Sequence, residues 1–416
     1  MVFQNDIIAG SSGGSGTSAT YSIDQSIRFN NYDTAYMKRT PSSSGNQRTW
    51  TLSMWVKRGE LGNYGLFGTR TANTTNFFII EFNSDDIFVQ GYASSSQTLR
   101  FETTAHFRDV SAWYHLVFVA DTTNAVSTER IRIYVNGERV TSFASSTYPT
   151  QNYDTHINSS SYENAIGCHN TGSDRVFSGY MTDIVMLDGT ATDASSFGEY
   201  NSSNIWIPKD VSGLTFGTNG FYIDGRDSAD LGDDESGQGN DYAVSGLASH
   251  DQVLDTPTNN FAVLNPVDTF GKLAGELRNG NLELKDNSAS VYVHGRATFG
   301  FDVTDSNGWY WESCDVVDGS QIGGICEDNA VIPSGSDVGF VGAKGSNSVN
   351  TNFWYKLDGT TYASTSLGVN SNAGDIAQFC VKNGKLFIGV NGTWVLSGNP
   401  ATEANPLFTG LTGTFM

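Results

Sequence analysis

Aromatic side chains beside polar loop residues are the clearest chemical signal in this chain, because such residues can bind sugars. The C–H face of a sugar stacks on an aromatic ring, while Asn, Asp and Gly on nearby loops take its hydroxyls. Five aromatic residues stand in segments of this kind: Tyr64, Tyr92, Tyr148, Tyr153 and Trp206. Most aromatics of a β-sandwich belong to its core, so each of the five competes with a purely structural role.

Side chains that hold zinc or act as nucleophiles are dispersed along the sequence. The six histidines (106, 115, 156, 169, 250 and 294) never form a His-x-x-x-His pair. The adjacent Cys168 and His169 would point to opposite faces of a strand and cannot share a metal ion. His115 stands in an apolar run, which predicts a hydrogen-bonded core histidine. The sequence contains no Gly-x-Ser-x-Gly elbow and no phosphate-binding loop.

An acidic segment is the one place where a cation is conceivable. Residues 230–241 contain five acidic side chains and three glycines. Calcium prefers clustered carboxylates and carbonyls on loops, but the spacing is not that of an EF-hand. A solvated acidic turn is the alternative. We therefore predict no cofactor, leave calcium open and assign no metal ligands.

Length and composition predict the fold class. At 416 residues the chain exceeds what one hydrophobic core usually supports, so we expect two domains. Gly, Ser, Thr and Asn are abundant, and aromatic residues make up 12% of the chain. This composition is typical of an all-β protein with many turns.

Charge and cysteine content restrict the partners and the compartment. A net charge of −21 disfavours a nucleic-acid partner, which requires a Lys/Arg surface. Cys168, Cys314, Cys326 and Cys380 form no C-x-x-C pair, so they are predicted to be unbridged thiols of a protein made in a reducing cytoplasm. No run of 18 apolar residues occurs, which predicts no membrane span.

The N-terminal 20 residues differ from the rest of the sequence. Phe3, Ile7 and Ile8 form a short apolar patch, and a Gly/Ser run follows at residues 10–16. Such runs behave as flexible tethers. The segment is predicted to be either a disordered tail or an arm that inserts into a larger assembly. It lacks the basic and apolar regions of a secretion signal.

Alternation of apolar and polar residues predicts strands through most of the chain. In residues 50–58 the apolar side chains of Trp50, Leu52, Met54 and Val56 share one face. Residues 113–121 are apolar on both faces, which predicts a central strand. Two further runs end in Val-Asn-Gly, at residues 135–137 and 390–392, and Asn-Gly predicts a type I′ hairpin at each.

These runs carry a resemblance to a known family. Residues 113–117 (WYHLV), 132–137 (RIYVNG), 179–184 (GYMTDI) and 52–57 (LSMWVK) resemble the concanavalin A-like lectin/glucanase superfamily, in its laminin-G and pentraxin branch. The resemblance covers about 180 residues and implies a β-sandwich used for recognition. Glucanases of this superfamily carry a Glu-x-Asp-x-x-Glu strand, which is absent here. The nearest acidic spacings, at residues 312–315 and 315–318, do not match it, so we expect no enzyme.

A second series resembles the SPRY (B30.2-like) domain. It comprises residues 308–312 (GWYWE), 322–324 (IGG), 374–379 (GDIAQF) and 386–392 (LFIGVNG), in that order. We therefore predict two antiparallel β-sandwich (jelly-roll) domains in tandem with a short N-terminal arm. The predicted segments are the arm (1–20), the lectin-like sandwich (21–200), an acidic connector (201–264) and the SPRY-like sandwich (265–416). The connector is too long for an ordinary loop, so it should pack on a neighbour or carry short strands.

A third resemblance concerns the context of the protein. Residues 3–10, 26–30 and 40–42 look like those of lectin-like virion proteins of tailed, particularly marine, bacteriophages. This implies a virion protein made in the host cytoplasm without a signal peptide. The arm, with Phe3, Ile7 and Ile8, would contact other virion proteins, and the sandwiches would bind host-surface glycans or neighbouring subunits. A tail fibre or a capsid decoration protein, as a homo-oligomer, is expected; a secreted carbohydrate-binding module or a remnant glycanase is the alternative.

Overall fold

The computed structural model describes residues 21–70, 75–169, 174–267, 275–286, 295–314, 322–326, 340–344, 352–355, 365–366 and 374–415. In these ranges the chain is all-β, with antiparallel strands and short 3-10 turns, as the composition predicts. The described part contains no helix long and apolar enough to cross a membrane.

The strands are numbered in chain order. The first twenty are β1 Ser26–Phe29, β2 Tyr36–Arg39, β3 Thr49–Arg58, β4 Tyr64–Arg70, β5 Phe77–Asn83, β6 Asp86–Ala93, β7 Ser96–Thr103, β8 Trp113–Asp121, β9 Ile131–Val135, β10 Glu138–Arg139, β11 Phe143–Thr147, β12 Glu163–Ile166, β13 Gly179–Asp188, β14 Gly198–Tyr200, β15 Trp206–Pro208, β16 Phe221–Ile223, β17 Ala243–Ser245, β18 Gln252–Val253, β19 Gly275–Arg278 and β20 Glu283–Asp286. The remaining ten are β21 Phe301–Asp302, β22 Trp309–Cys314, β23 Ile322–Cys326, β24 Phe340–Lys344, β25 Asn352–Tyr355, β26 Thr365–Ser366, β27 Ile376–Lys382, β28 Lys385–Val390, β29 Thr393–Trp394 and β30 Thr414–Phe415. Five 3-10 turns lie at Asn31–Asp33, Ser127–Glu129, Ala194–Ser196, Ser249–Asp251 and Val395–Ser397.

The chain divides into two compact units. The first contains residues 21–266 together with the hairpin segment Leu277–Lys285, and the second contains Val267–Glu276 and the chain after residue 285. The hairpin β19–β20 thus groups with the first unit, although its residues follow the predicted boundary at 264. Tyr180 explains this, because its hydroxyl donates to the carbonyl of Gly280 at 2.7 Å.

Two sheets form the first unit. The first sheet runs β10-β9-β8-β3-β13-β1-β18, with β16 paired to β13, and the second runs β11-β7-β6-β5-β4-β12-β2-β17. Trp50, Leu52, Met54 and Val56 of β3 all point into the core between the sheets, as their alternation predicts. Strand β8 lies between β3 and β9 and is buried on both faces, so the prediction of a central strand is confirmed.

A third layer covers the outer face of the first sheet. Val117 and Val119 of β8, with Val185 and Leu187 of β13, point away from the main core. They pack against apolar residues of the chain after β13: Ala194, Phe197, Val211, Phe216 and Tyr222. A second patch on this face joins Trp55, Trp113 and Tyr180 to Ile23 and Val263. The outer face of the first sheet is therefore interior.

The predicted connector builds most of this layer. Its strand β16 pairs with β13, β17 pairs with β2, and β18 pairs with β1. The prediction that residues 201–264 pack on a neighbour or carry short strands is therefore confirmed. The segment joins the edges of both sheets of the first unit.

Both Asn-Gly turns have the predicted geometry. Asn136 and Gly137 have φ of 48° and 84°, and Asn391 and Gly392 have φ of 49° and 81°. In each turn the Asn Oδ1 also accepts a backbone N–H of the adjacent strand, from His115 at 2.8 Å and from Ile376 at 2.9 Å. Asn fits because it tolerates positive φ and supplies this acceptor.

The second unit has two four-stranded antiparallel sheets. One runs β22-β27-β28-β29 and the other runs β23-β24-β25-β26, and β21 pairs with β30. Phe379, Val381, Leu386 and Ile388 of the first of these sheets pack in one core with Ile325 of the other. The side chains of β22 and β27 that alternate with these core residues, such as Tyr310 and Gln378, therefore lie on the outer face of that sheet.

Candidate functional site

Two groups of aromatic side chains lie near one end of the second sheet and are linked through the backbone carbonyl of Tyr92; together we call them the aromatic rim: Phe77 and Tyr92 in one group, and Tyr153, His156 and Tyr162 in the other. Phe77 of β5 and Tyr92 of β6 are register partners whose rings stack with centroids 4.7 Å apart. The rings of His156 and Tyr162 also stack at 4.7 Å, and Tyr153 lies 6.1 Å from His156. All five are half-buried, so each shows part of its ring to solvent.

His156 joins the two halves of the rim. Its backbone φ is 72°, a left-handed conformation, and its Nε2 lies 3.1 Å from the carbonyl oxygen of Tyr92. Burial lowers the pKa of His156, so the ring is neutral at neutral pH. Because Nε2 faces a carbonyl, that nitrogen carries the proton and Nδ1 remains an acceptor. The side chains of the rim are therefore uncharged.

Amide and hydroxyl groups surround the aromatic rim. Thr98 donates to the Tyr153 hydroxyl at 2.8 Å, and the Gln90 amide donates to Gln97 at 3.3 Å. The side chain of Asn76 accepts the backbone N–H of Ser94 at 2.7 Å. Apolar ring faces with neutral donors and acceptors at their edges match the two surfaces of an uncharged saccharide.

Tyr92 and Tyr153 belong to the aromatic rim, but the other three predicted aromatics are separate from it. The hydroxyl of Tyr64 donates to Glu60, and burial raises the pKa of that tyrosine. The ring of Tyr148 packs edge-on against the core residue Phe101 at 4.9 Å. Both side chains contact the main core, as does that of Tyr153.

Trp206 belongs to the third layer. Its Nε1 donates to Nδ1 of His115 at 3.0 Å, and Nε2 of His115 lies 2.9 Å from Oγ of Ser53. Burial lowers the pKa of His115 to about 3, so the ring is neutral. Since Nδ1 accepts from Trp206, Nε2 carries the proton and donates to Ser53. The prediction of a hydrogen-bonded core histidine is confirmed, and His115 cannot act as a base toward Ser53.

In the acidic segment (residues 230–241), the carboxylate of Asp234 is occupied by hydrogen bonds within the protein. Asp234 accepts the backbone N–H groups of Tyr222 and Asn240, each at 2.8 Å, and also bonds Ser236. Among the described residues, no group of three or more His, Cys, Asp or Glu side chains is placed to hold a metal ion. Burial, followed by repulsion from Asp241 and other carboxylates, raises the pKa of Asp233.

The aromatic rim includes neither the predicted anchor residues nor the cysteines. Phe3, Ile7 and Ile8 lie outside the described residues, so their role as an anchor stays a prediction. Cys168, Cys314 and Cys380 form no disulfide in the described part of the chain.

Phe77, His156 and Tyr162 were not among the predicted site residues. The available signal was the density of aromatic and polar residues in the segment 148–162, which contains three tyrosines and a histidine. No comparable sequence pattern surrounds Phe77, because its place in the site depends on its pairing with Tyr92 in the neighbouring strand β6.

Comparison with known proteins identifies the fold of the first unit. Residues 29–195 match a laminin-G-type family model that is described as the concanavalin A-like lectin/glucanases superfamily. The first unit thus contains a laminin-G-like domain of that superfamily, as its sequence motifs predict. A search of curated protein sequences found no significant match.

Solved structures show distant similarity. A heptameric SAP-like pentraxin from Limulus polyphemus is 14% identical, with a TM-score of 0.34, and the match covers 55% of this chain and 98% of the pentraxin. Domains LG4-5 of the mouse laminin α1 chain are 10% identical with a TM-score of 0.34, covering 97% of this chain and 84% of theirs. Domain 4 of an extracellular arabinanase from Geobacillus stearothermophilus, solved with arabinotriose, is 17% identical with a TM-score of 0.26, covering 40% and 68%.

Proposed function

We propose that this chain is a lectin-like recognition protein whose first unit binds an uncharged glycan at the aromatic rim. The observation that carries the proposal is two groups of half-buried aromatic residues, linked by the hydrogen bond between His156 and the Tyr92 carbonyl, with Gln, Asn and Thr side chains nearby. The laminin-G-like sandwich supports it as a fold used for recognition. The third layer also supports it, because it covers the outer face of the first sheet and leaves the second sheet and the rims for ligand.

Removal of one ring from each half of the aromatic rim is expected to weaken glycan binding. Tyr92→Ala removes the stacking partner of Phe77, and Tyr162→Ala removes that of His156. Each should weaken binding by about tenfold or more, as is usual for a central aromatic contact. A glycan array followed by titration calorimetry on the best neutral oligosaccharide measures this.

The matched control is Tyr200→Ala, which removes an exposed tyrosine outside the aromatic rim. It should bind as the wild type does. Equal losses in all three variants, or wild-type affinity in the two rim variants, would contradict a site at the rim.

For the biological context, we propose a structural protein of a bacteriophage virion, as a tail fibre or other appendage, or as a capsid decoration protein. The Gly/Ser arm with its apolar patch, the acidic composition and the absence of a catalytic carboxylate triplet in the sequence support this proposal. The chain would assemble as a homo-oligomer, bind rather than cleave host-surface glycans, and carry a SPRY-like recognition domain as its second unit. Two four-stranded sheets and the Asn391 hairpin support that assignment. A secreted carbohydrate-binding module is the alternative.

The virion proposal predicts the protein composition of purified particles. Mass spectrometry should detect the full chain in them and should not detect a variant that lacks residues 1–20, since the apolar patch at Phe3, Ile7 and Ile8 would be missing. The truncated variant should still be folded by circular dichroism. Absence of the full chain from particles would refute the virion role, and full incorporation of the truncated chain would refute the anchor.

A further inference from the structure

Tyr310 lies flat on the outer face of the second unit's β22-β27-β28-β29 sheet. Its hydroxyl donates to Oε1 of Glu312, two residues further along β22. Such residues are about 6.6 Å apart along a strand, which is comparable with the length of a tyrosine side chain, so the ring must follow the strand. The side chain is nevertheless 52% exposed, and the exposed surface is therefore a ring face.

Gln378 fixes this arrangement from the neighbouring strand. Its amide nitrogen donates to the Tyr310 hydroxyl at 2.7 Å, and its amide oxygen accepts the backbone N–H of Gly392 at 2.6 Å. Both described hydrogen bonds to Glu312 fall on Oε1, so Oε2 has no partner among the described residues. The orientation of the tyrosine is thus set before any ligand arrives, which reduces the entropy lost on binding.

Trp394 lies on the same face of this sheet as Tyr310. Glu312, Gln378, Gly389 and Trp394 form one row across the four strands. Gly389 contributes no side chain, and a Cβ there would lie 3.2 Å from the Trp394 ring. The ring centroids of Tyr310 and Trp394 are 6.4 Å apart and the ring planes are inclined by 69°, so a ligand stacked on Tyr310 would have the Trp394 ring at its side.

We propose that this face of the second unit, defined by Tyr310, Glu312, Gln378 and Trp394, is a second saccharide-binding site, and that it takes an uncharged hexopyranose unit of an oligosaccharide. The sugar stacks on Tyr310 and abuts Trp394. Its hydroxyls donate to Oε2 of Glu312, since a carboxylate accepts two hydrogen bonds on each oxygen.

Two carboxylates and one ammonium group lie at this face, which leaves it with a net negative charge; the ammonium is that of Lys382, on the outer side of β27. Glu312 is exposed on the platform, and Asp375 lies at the end of the same sheet, where it accepts from Asn391 at 2.7 Å. The carboxylate of a uronic or sialic acid would be repelled by those of Glu312 and Asp375. The site therefore discriminates between neutral and acidic oligosaccharides of similar length.

The test uses the full chain and a panel of maltohexaose, cellohexaose, mannohexaose and galactohexaose, with hexagalacturonate as the acidic comparator. Titration calorimetry should show binding of at least one neutral member. Tyr310→Ala and Trp394→Ala should each weaken that binding by about tenfold or more. Tyr310→Phe keeps the ring but loses the two hydrogen bonds that orient it, so it should bind more weakly than wild type and more tightly than Tyr310→Ala.

Tyr200→Ala is the matched control, because Tyr200 is also exposed and its hydroxyl also bonds a glutamate, Glu138, at 2.6 Å. It should leave binding unchanged, and circular dichroism checks that each variant is folded. Binding of hexagalacturonate as tight as that of the neutral members would overturn the proposal, as would the absence of neutral binding or an unchanged affinity of folded Tyr310→Ala.

The site in the second unit is independent of the aromatic rim, and variants separate the two. If Tyr92→Ala abolishes all binding while Tyr310→Ala changes nothing, the proposed function stands and this inference fails. If Tyr310→Ala abolishes all binding while Tyr92→Ala changes nothing, this site stands and the aromatic rim fails.

Discussion

An Asp255→Ala variant is expected to lose about 3–5 kcal/mol of the stability of the first unit, because it leaves a buried ammonium without its counter-charge. Nζ of Lys57 lies 2.7 Å from Oδ2 of Asp255, and the lysine side chain is fully buried. Burial already lowers the pKa of Lys57, and Asp255 opposes that effect. The other oxygen of Asp255 accepts from the Trp113 indole at 3.0 Å, so the variant also leaves that donor unpaired.

Native-state hydrogen exchange on peptides from β3 measures this loss in the first unit alone. The control is Asp154→Ala, which breaks the Arg48–Asp154 pair. That pair has the same 2.7 Å separation but side chains that are about half exposed. It should leave exchange protection nearly unchanged, since exposed pairs contribute little. Equal effects of the two substitutions would show that Lys57 and Asp255 are not a buried pair in solution.

The position of Asp255 shows why the third layer could not be predicted from the sequence. Strand β3 can be predicted from the sequence because its apolar and polar residues alternate within a short segment. Both Asn-Gly turns can be predicted because two adjacent residues determine the backbone conformation. By contrast, Lys57 is separated from Asp255 by 198 residues, and the third layer follows no regular period. Its contacts depend on long-range packing, which composition and periodicity do not encode.

The candidate site was predictable only in part, for a related reason. The type of residue, an aromatic near polar loops, selected Tyr92 and Tyr153, which are half-buried. It also selected Tyr148 and Trp206, which are half-buried too but whose rings contact Phe101 and His115. Which side an aromatic ring takes depends on register, and the pairing of β6 with β7 shifts beside Tyr92, where β7 has one extra residue, although β5 and β6 stay in continuous register. A shift of one residue moves a side chain to the other face of a sheet.

The two proposed sites illustrate different ways to hold an aromatic ring for a ligand. In the aromatic rim, rings stack on one another and Tyr92 is further bonded through its carbonyl to His156. In the second unit, Gln378 and Glu312 hold the hydroxyl of Tyr310 while its ring face stays open. In both sites the aromatic ring is oriented before a ligand binds, and in neither site is that ring charged.

Asp183 gives the first unit a pH-dependent stability. Its carboxyl is buried in β13, where it accepts from the hydroxyls of Tyr222 at 2.9 Å and Tyr21 at 3.3 Å. Burial, followed by repulsion from Asp224, raises its pKa from 3.8 to about 7, although the tyrosine hydrogen bonds and Arg226 oppose the shift. Between these two pH values the folded state holds a proton that the unfolded state has released. The free energy of unfolding therefore falls as pH rises from about 4 to about 7.

An Asp183→Asn variant is expected to remove this loss. Asn stays uncharged at every pH, can accept from one tyrosine hydroxyl through its oxygen and donate to the other through its nitrogen, and tolerates the positive φ of 45° at this position. The variant should match the wild type near pH 4 and exceed its stability above about pH 7 by up to roughly 4 kcal/mol, the equivalent of the displaced pKa. Exchange protection of β13 at about pH 4, 5.5 and 7.5 measures the difference. Other carboxylates titrate in both proteins, so wild-type and variant curves that run parallel would show that Asp183 does not hold its proton in the folded state.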